Sequence, residues 1–326
     1  MNKDCPIFEP SEWRLTKLQK QLCNETRSIA SKNFVSRAIK HDIEASFPTE
    51  NYSDLFKNNL MGICIPKEYG GRDADLKTYM LAASEIGRYC GATALTFNMH
   101  VSSCLWTGFL ADNLDMDEAK RKEHHNLRGL HYERILSNGS IYAQPFSEGN
   151  ASAAGKSAFG TTALRTSNGW IVNGKKIFAS LSGHANFYGV LCTELLDEDT
   201  KPSRANTMYV AVPADQKGVS VEGEWNPLGM RGTVSRTLIF KDVFIPFEEQ
   251  LMPRGIYYNA AKQWPHMFMT LTPSYIGIAQ ACYDFTIRYL RGEQPGMSPV
   301  KRRMYPTKQL TVAQIKIILE QTKAIW

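Results

Sequence analysis

The 326-residue sequence lacks several features that would assign it to a common class of protein. No uninterrupted apolar run approaches the roughly 18 residues that a membrane-spanning helix needs, and the N-terminus has no apolar stretch typical of a signal peptide. The seven cysteines are odd in number, and no pair has the Cys-x-x-Cys spacing. This pattern argues against a disulfide framework and against a zinc site. We therefore expect a cytoplasmic protein without a bound metal.

The sequence also lacks a large excess of charge of one sign. The 38 lysines and arginines exceed the 32 aspartates and glutamates by six, and most of these cations are scattered along the chain. Lys301, Arg302 and Arg303 form a run. A nucleic-acid surface requires a denser basic stripe, so we expect no nucleic-acid partner. Scattered cations are compatible with an anionic small molecule, such as a phosphate-bearing cofactor or a thioester.

The first 138 residues have a helical pattern and predict an N-terminal helical domain. Apolar side chains recur every three or four residues over 13–44. Asp75 is a candidate N-cap for a helix over 76–88. The segment 92–112 is unusually apolar, and we expect it to form a buried helix.

From 139 to 248 the sequence changes to β-branched, aromatic and glycine-rich segments, which predict a β-barrel or sandwich domain of about six to eight strands. The strongest local signal is Ser167-Asn168-Gly169, which separates two alternating runs and predicts a hairpin turn. A second Asn-Gly pair follows at 173–174. Further strands are expected at 207–214, 219–225 and 236–246.

After residue 248 the helical pattern returns. An apolar series over 256–292 contains Pro265 and Pro273, which predict an irregular start, and a second helix is expected from Thr307 to the end. This helix pair cannot bury its own apolar faces, so we expect an incomplete C-terminal helical bundle that further chain or a partner completes. The predicted fold class is α+β. Its predicted domains span residues 1–138, 139–248 and 249–326.

The stretch NGKKIFASLSGHANFYGVL, at 173–191, poses the functional question. Its ends are apolar and strand-like, and its middle contains small and hydroxyl residues with one aromatic. Nothing in it is an obvious acid, base, nucleophile or metal ligand. Such a segment is either an arm of an ordinary hairpin or the wall of a site whose chemistry a cofactor performs.

Five motifs in this order resemble the acyl-CoA dehydrogenase family of flavoproteins, and the resemblance covers nearly the whole chain. PKEYGG at 66–71 is similar to the family's loop after its early helices, and FSEG at 146–149 to its Thr-Glu-Pro-Gly turn. GWIVNGKKIFASLSGHANFY at 169–188 resembles the family's most characteristic β segment. NPLGMRGTVSRTLIFKDVFIP at 226–246 resembles its Gly-Met-Arg-Gly-Thr run, and GIAQACYDFTIRYLR at 277–291 its first long C-terminal helix.

The resemblance implies bound FAD, a homotetramer or another oligomer, and oxidation of an acyl-CoA thioester between its α and β carbons in fatty acid metabolism. In that scheme a carboxylate removes the α proton and the flavin takes the β hydride. An electron-transfer flavoprotein or oxygen is then the expected electron acceptor. The flavin supplies the difficult chemistry, and the protein places and tunes it.

The resemblance also implies cofactor contacts for five residues. Phe146 and Ser147 lie in the motif that meets the flavin at the end of a strand, and Phe178 shields the ring from water. Ser180 offers a hydroxyl to the ring, and Arg302 reaches the pyrophosphate of a neighbouring subunit's FAD. Each also has an ordinary interpretation, as a packed aromatic, a turn or edge hydroxyl, or a solvated basic loop.

The catalytic base stays unknown. The family's usual glutamate lies beyond the end of this sequence, and the alternative position used by a minority of members holds Met267 and Phe268. His266 is the nearest titratable group, but a histidine in an apolar helix is more often packed than catalytic. Three hypotheses stay open: an acyl-CoA dehydrogenase with its base on further chain, a flavin monooxygenase-like enzyme or heteromer subunit of the same fold, and an inactive paralogue that acts as a scaffold.

Overall fold

The computed structural model describes residues 15–149, 152, 156–197, 199–263 and 269–325. Helices come first, strands follow, and helices return, which confirms the predicted α+β class. The predictions for His266, Met267 and Phe268 lie outside the described residues. Among the helices that are described, none is both long and apolar enough to cross a membrane.

Five helices form the first part of the fold. They are α1 (Lys17–Glu44), α2 (Thr49–Lys57), α3 (Leu76–Tyr89), α4 (Gly91–Leu105) and α5 (Glu118–Asn138). Asp75 caps α3 as predicted, because its Oδ1 accepts a hydrogen bond from the Thr78 amide at 2.8 Å. Helix α4 is buried along most of its length and continues into one π-helical turn, Trp106–Leu110.

The region predicted as a barrel or sandwich contains one eight-stranded sheet. Its order is β6-β7-β3-β2-β4-β5-β8, and β1 pairs with β4. The strands are β1 (Tyr142–Ala143), β2 (Thr162–Arg165), β3 (Gly169–Ala179), β4 (Phe187–Leu195), β5 (Thr207–Pro213), β6 (Val219–Glu222), β7 (Arg236–Pro246) and β8 (Gln250–Met252). Strands β4 and β5 are buried along nearly their whole length, so both of their faces are covered and they form the centre of the core.

The two Asn-Gly pairs have different roles. Ser167-Asn168-Gly169 lies between β2 and β3 as predicted, and the Thr166 amide donates to the Gly169 carbonyl at 2.8 Å. Asn173-Gly174 instead lies inside β3, at an irregularity in its pairing with β7, where Gly174 has a φ of 150°. Strand β2 lies between β3 and β4 in the sheet. The stretch 173–191 therefore crosses from one strand to a non-adjacent one, and its two ends do not pair with each other as a hairpin.

Three helices complete the described fold: α6 (Ile256–Gln263), α7 (Thr272–Arg291) and α8 (Pro306–Ile325). Helix α7 packs closely on α3 at Gly277. A side chain does not fit there, since an added Cβ would lie 2.2 Å from the Ser84 carbonyl oxygen. Helix α8 leaves much of its apolar surface exposed, including Leu310 and Ile318. The predicted domain boundaries at 138/139 and 248/249 stay a prediction.

Candidate functional site

Two of the predicted site segments lie side by side. The segment 146–149 follows β1, and the segment 176–180 forms the end of β3 and the start of the next turn. The Ile177 amide donates to the Ser147 carbonyl at 2.8 Å. The fold therefore brings Ser147 close to the stretch that holds Phe178 and Ser180.

Glu148 is the anchor of the first segment. Its carboxylate lies 2.7 Å from Lys176 Nζ and accepts hydrogen bonds from the amides of Gly160 at 2.7 Å and Thr161 at 2.9 Å. The Ser152 hydroxyl donates to it at 3.2 Å. Burial alone would raise the pKa of Glu148, but the charge and hydrogen bond of Lys176, together with hydrogen bonding from Thr161, lower it to about 2. Such a carboxylate is ionised near neutral pH and is too weak a base to remove a carbon-bound proton.

Lys176 is the buried partner of this carboxylate. Its ammonium also donates to the Leu191 carbonyl at 2.6 Å and lies 4.5 Å from the centre of the Phe159 ring. Burial lowers the pKa of Lys176, and the attraction of Glu148 opposes that shift. The pair ties the segment after β1 to β3 and β4, so it has a structural role beside the site.

Two short segments, one at the end of β3 and one directly before β7, concentrate backbone strain. We name residues 178–182 and 230–235 the paired turns. Their non-glycine residues with positive φ are Phe178 (52°), Leu181 (70°), Met230 (61°) and Val234 (45°). Side chains in this conformation cost about 1–2 kcal/mol per residue, and a β-branched valine is especially unfavourable there. Residues held in such conformations cluster at ligand and active sites, which makes the paired turns the best candidate site.

Two backbone hydrogen bonds join the paired turns to each other. The Leu181 amide donates to the Thr233 carbonyl at 2.9 Å, and the Ser182 amide donates to the Val234 carbonyl at 3.2 Å. The second turn is also fixed to α1, because Arg231 Nε donates to the Asp42 carbonyl at 2.6 Å and its guanidinium pairs with the Asp42 carboxylate. These contacts hold the strained conformations in place.

A chain of three hydroxyls lies within the paired turns. Ser180 Oγ is 2.8 Å from Ser235 Oγ, and Ser235 Oγ is 2.7 Å from Thr233 Oγ1. Thr233 Oγ1 donates to the Met230 carbonyl at 2.9 Å. Thr233 and Ser235 are buried, whereas Ser180 is half-buried and forms the accessible end of this hydroxyl chain.

Phe178 presents an aromatic ring next to this hydroxyl chain. Its side chain is 67% exposed, although its backbone is strained. The ring makes an edge contact with Trp225 at 6.2 Å between centroids, and the Trp225 indole N–H donates to the Met230 carbonyl at 3.1 Å. Because core packing does not explain an exposed ring in this conformation, we interpret it as a surface for a planar ligand.

The other two predicted residues lie in different surroundings. Phe146 is half-buried among the rings of Trp106, Tyr209 and Tyr257. Arg302 is exposed on the loop between α7 and α8, and its guanidinium lies over the Tyr305 ring at 5.4 Å. Among the contacts of the described residues, none joins Arg302 to the paired turns. Cofactor contacts for both residues stay predictions.

Sequence reasoning missed most of the second turn. The segment 226–246 resembles a family motif, but the motif did not identify its hydroxyl residues Thr233 and Ser235, or the adjacent Trp225, as site residues. Two hydroxyl residues separated by one position are too common a pattern to identify a site. The left-handed conformations of Met230 and Val234 also have no sequence signal, because neither residue type favours them.

A cavity of about 450 Å³ lies in a different part of the chain. Its lining comprises Cys64, Pro66, Lys67, Glu68, Asp73, Ala74, Asp75, Phe109 and Asp112. None of the five predicted contact residues is among them. Two of the four carboxylates in this lining are engaged: Asp75 caps α3, and Asp112 forms a 2.8 Å pair with Arg128. We therefore place the candidate site at the paired turns.

Comparison with known families shows which family the chain belongs to. "Acyl-CoA dehydrogenase, N-terminal domain" matches residues 16–111, and "Acyl-CoA dehydrogenase, middle domain" matches residues 146–243. Together the matches cover more than half of the chain. The chain belongs to the acyl-CoA dehydrogenase family. Both paired turns lie within the middle-domain match.

Individual relatives agree with this membership. The chain is 27% identical over 269 residues to a short-chain specific acyl-CoA dehydrogenase of Clostridium acetobutylicum, a match that covers 82% of this chain and 65% of the relative. It is 28% identical to the mitochondrial short-chain specific acyl-CoA dehydrogenase of Mus musculus, with 94% and 70% covered. The chain thus spans about two thirds of the length of these curated acyl-CoA dehydrogenases.

Solved structures confirm the fold. Butyryl-CoA dehydrogenase from Megasphaera elsdenii superimposes with a TM-score of 0.78 at 18% identity, covering 95% of this chain and 78% of that one. FMN-bound TdsC from Paenibacillus sp. A11-2 superimposes with a TM-score of 0.78 at 20% identity, covering 93% and 74%. At these identities the likeness shows the acyl-CoA dehydrogenase fold alone.

Proposed function

We propose that this chain is a flavin-dependent oxidoreductase of the acyl-CoA dehydrogenase type and that the flavin binds at the paired turns. The observation that carries the proposal is the strained backbone of residues 178–182 and 230–235, which displays the exposed ring of Phe178 and the hydroxyl of Ser180. Membership in the acyl-CoA dehydrogenase family supports the same function.

The residues of the paired turns fit a flavin. The isoalloxazine ring is planar, with apolar faces and an edge of hydrogen-bonding atoms. Phe178 supplies an exposed aromatic surface, and Ser180 supplies an accessible oxygen at the end of the hydroxyl chain. When bound, a flavin supplies the acceptor for a hydride from the substrate, which no protein side chain provides.

The residues around the flavin hold and shield it. The Glu148–Lys176 pair fixes the segment that carries Ser147, and the two backbone hydrogen bonds between the turns fix Ser180. With a flavin bound, Phe178 would keep water from one side of the site, and Ser180 would hydrogen-bond the ring edge. Phe146 and Arg302 are proposed contacts on the evidence of the motif resemblance alone.

Glu148 is not the base that removes the substrate's α proton, because its pKa is about 2 and its oxygens are engaged. In an acyl-CoA dehydrogenase the proton must go to a group other than Glu148. The flavin monooxygenase-like alternative of the same fold needs no α-proton base, so the state of Glu148 does not separate the two functions.

The remaining features of the function are further proposals. We propose an acyl-CoA thioester as substrate and fatty acid metabolism as the setting, because the relatives carry names such as short-chain specific acyl-CoA dehydrogenase. We propose FAD as the cofactor, an electron-transfer flavoprotein or oxygen as acceptor, a homotetramer or another oligomer as the assembly, and a cytoplasmic location.

The test is the visible spectrum of the purified protein after incubation with FAD and removal of the unbound cofactor. We expect retained flavin absorbance that butyryl-CoA bleaches under anaerobic conditions. Retained flavin that butyryl-CoA does not bleach, together with oxygen consumption on addition of NADH, would instead favour the monooxygenase-like alternative. A protein that retains neither FAD nor FMN would contradict the proposal and leave a scaffold role.

A further inference from the structure

The hydroxyl chain in the paired turns has a direction that can be read from its oxygens. It contains three oxygen-to-oxygen contacts: Ser180 to Ser235 at 2.8 Å, Ser235 to Thr233 at 2.7 Å, and Thr233 to the Met230 carbonyl at 2.9 Å. Each hydroxyl carries one proton, so three protons serve three contacts. A contact without a proton would place two oxygen lone pairs against each other.

The last contact fixes the order of donors. The Met230 carbonyl can only accept, so the Thr233 proton lies on that contact. Thr233 Oγ1 must then accept from Ser235, and Ser235 Oγ must accept from Ser180. The proton of Ser180 therefore points into the protein, and only the lone pairs of Ser180 Oγ face the accessible side.

We propose that Thr233 and Ser235 are positioning residues that make Ser180 a hydrogen-bond acceptor toward the bound ligand. This inference rests on the proposed function, in which Ser180 faces the flavin edge. The N5 nitrogen of an oxidised flavin has a lone pair, whereas the same nitrogen of a reduced flavin carries a hydrogen. An acceptor at Ser180 favours the reduced ring, so the buried hydroxyls set the redox preference of the site without touching the ligand.

The experiment measures the dissociation constants of oxidised FAD and of dithionite-reduced FAD under anaerobic conditions, and compares their ratio among variants. Thr233→Val keeps the shape of the side chain and removes the hydroxyl. Ser235 can then donate to Ser180, and the Ser180 proton is free to bond the oxidised ring. We expect the ratio of the oxidised to the reduced constant to fall about three- to tenfold, the effect of one hydrogen bond. Ser235→Ala should give the same direction of change.

Two controls separate positioning from general damage to the turn. Thr233→Ser retains the hydroxyl and should keep the wild-type ratio. Ser182→Ala removes another buried hydroxyl of the turn 178–182. This hydroxyl donates to the Ala179 carbonyl and is not part of the hydroxyl chain, so the variant should also keep the ratio. A structural loss would weaken both redox states equally and leave the ratio unchanged.

The outcomes are distinct. Binding of FAD with an unchanged ratio in Thr233→Val and Ser235→Ala overturns the inference but not the proposed function. Failure of the wild type to bind either redox state overturns the proposed function first. If both buried variants fail to fold, Ser180→Ala decides: the inference predicts a loss of affinity for reduced FAD with little change for oxidised FAD, and the opposite pattern overturns it.

Discussion

Lys176 Nζ and Glu148 Oε1 lie 2.7 Å apart, and their side chains are almost completely buried. This ion pair connects the segment after β1 to the middle of the sheet, directly before the strained turn at Phe178. The carboxylate also accepts from two backbone amides, those of Gly160 at Oε2 and Thr161 at Oε1. Its role is therefore to set the position of the site, and the chemistry has to be performed by other groups.

Lys176→Met tests this role. The substitution leaves the Glu148 carboxylate buried without its cation, so we expect the free energy of unfolding to fall by about 3–5 kcal/mol. Urea denaturation measures the change. The matched control is Lys175→Met, the exposed neighbour on the same strand, which should change stability by less than about 0.5 kcal/mol. Equal effects of the two substitutions would show that the buried pair does not anchor the fold.

Acidification should begin to destabilise the protein near pH 6.5, above the range in which carboxylates ordinarily titrate. His100, His124 and His131 are buried, and burial lowers their pKa values to about 4, 4 and 3 from an ordinary value of 6.5. Both ring nitrogens of neutral His100 are hydrogen-bonded: Nε2 donates to the Met61 carbonyl at 2.9 Å, and Nδ1 accepts from the Tyr142 amide at 3.1 Å.

Between pH 6.5 and 4 the unfolded chain therefore binds protons that the folded chain does not. Stability rises with pH in that window and is lost as the pH falls, at up to about 1.4 kcal/mol per pH unit for each histidine. Urea denaturation at pH 7, 6 and 5 measures the slope. For Glu148 the folded pKa is also depressed, so its contribution disappears at lower pH, between about 4.5 and 2. A stability that is constant from pH 7 to 5 would contradict the neutral burial of the histidines.

Phe178→Asn should separate stability from binding. Phe178 is exposed and strained, and asparagine tolerates a positive φ, so we expect the apo-protein to gain up to about 1 kcal/mol in unfolding free energy. The same substitution should weaken FAD binding, because the aromatic surface is lost. Leu228→Asn is the control, since Leu228 is 99% exposed and has no positive φ. Loss of stability with unchanged FAD affinity would identify Phe178 as an ordinary structural residue.

The parts of the fold that the sequence predicted well depend on local chemistry. Asp75 could be identified as a helix cap because a carboxylate before an apolar helix satisfies free amides. Gly169 could be placed in a hairpin turn for a similar reason. Gly174 belongs to the same dipeptide type but lies within β3, because pairing with β7 prevails there over the local turn preference.

The site could be predicted only in part. Phe178 and Ser180 were found through a resemblance, and the structure places both in a strained turn. The second turn was missed because the conformations of Met230 and Val234 are imposed by tertiary contacts, such as the bond from Leu181 to the Thr233 carbonyl. Long-range contacts of this kind leave no pattern in a single sequence.

Hydrogen–deuterium exchange with and without FAD tests the location of the cofactor most directly. If the flavin binds at the paired turns, saturating FAD slows exchange of the backbone amides in both of them, 178–182 and 230–235, and leaves the segment 64–75 beside the separate cavity unchanged. Binding of FAD without protection of the paired turns, or with protection confined to the segment 64–75, would place the cofactor elsewhere and contradict the proposed site.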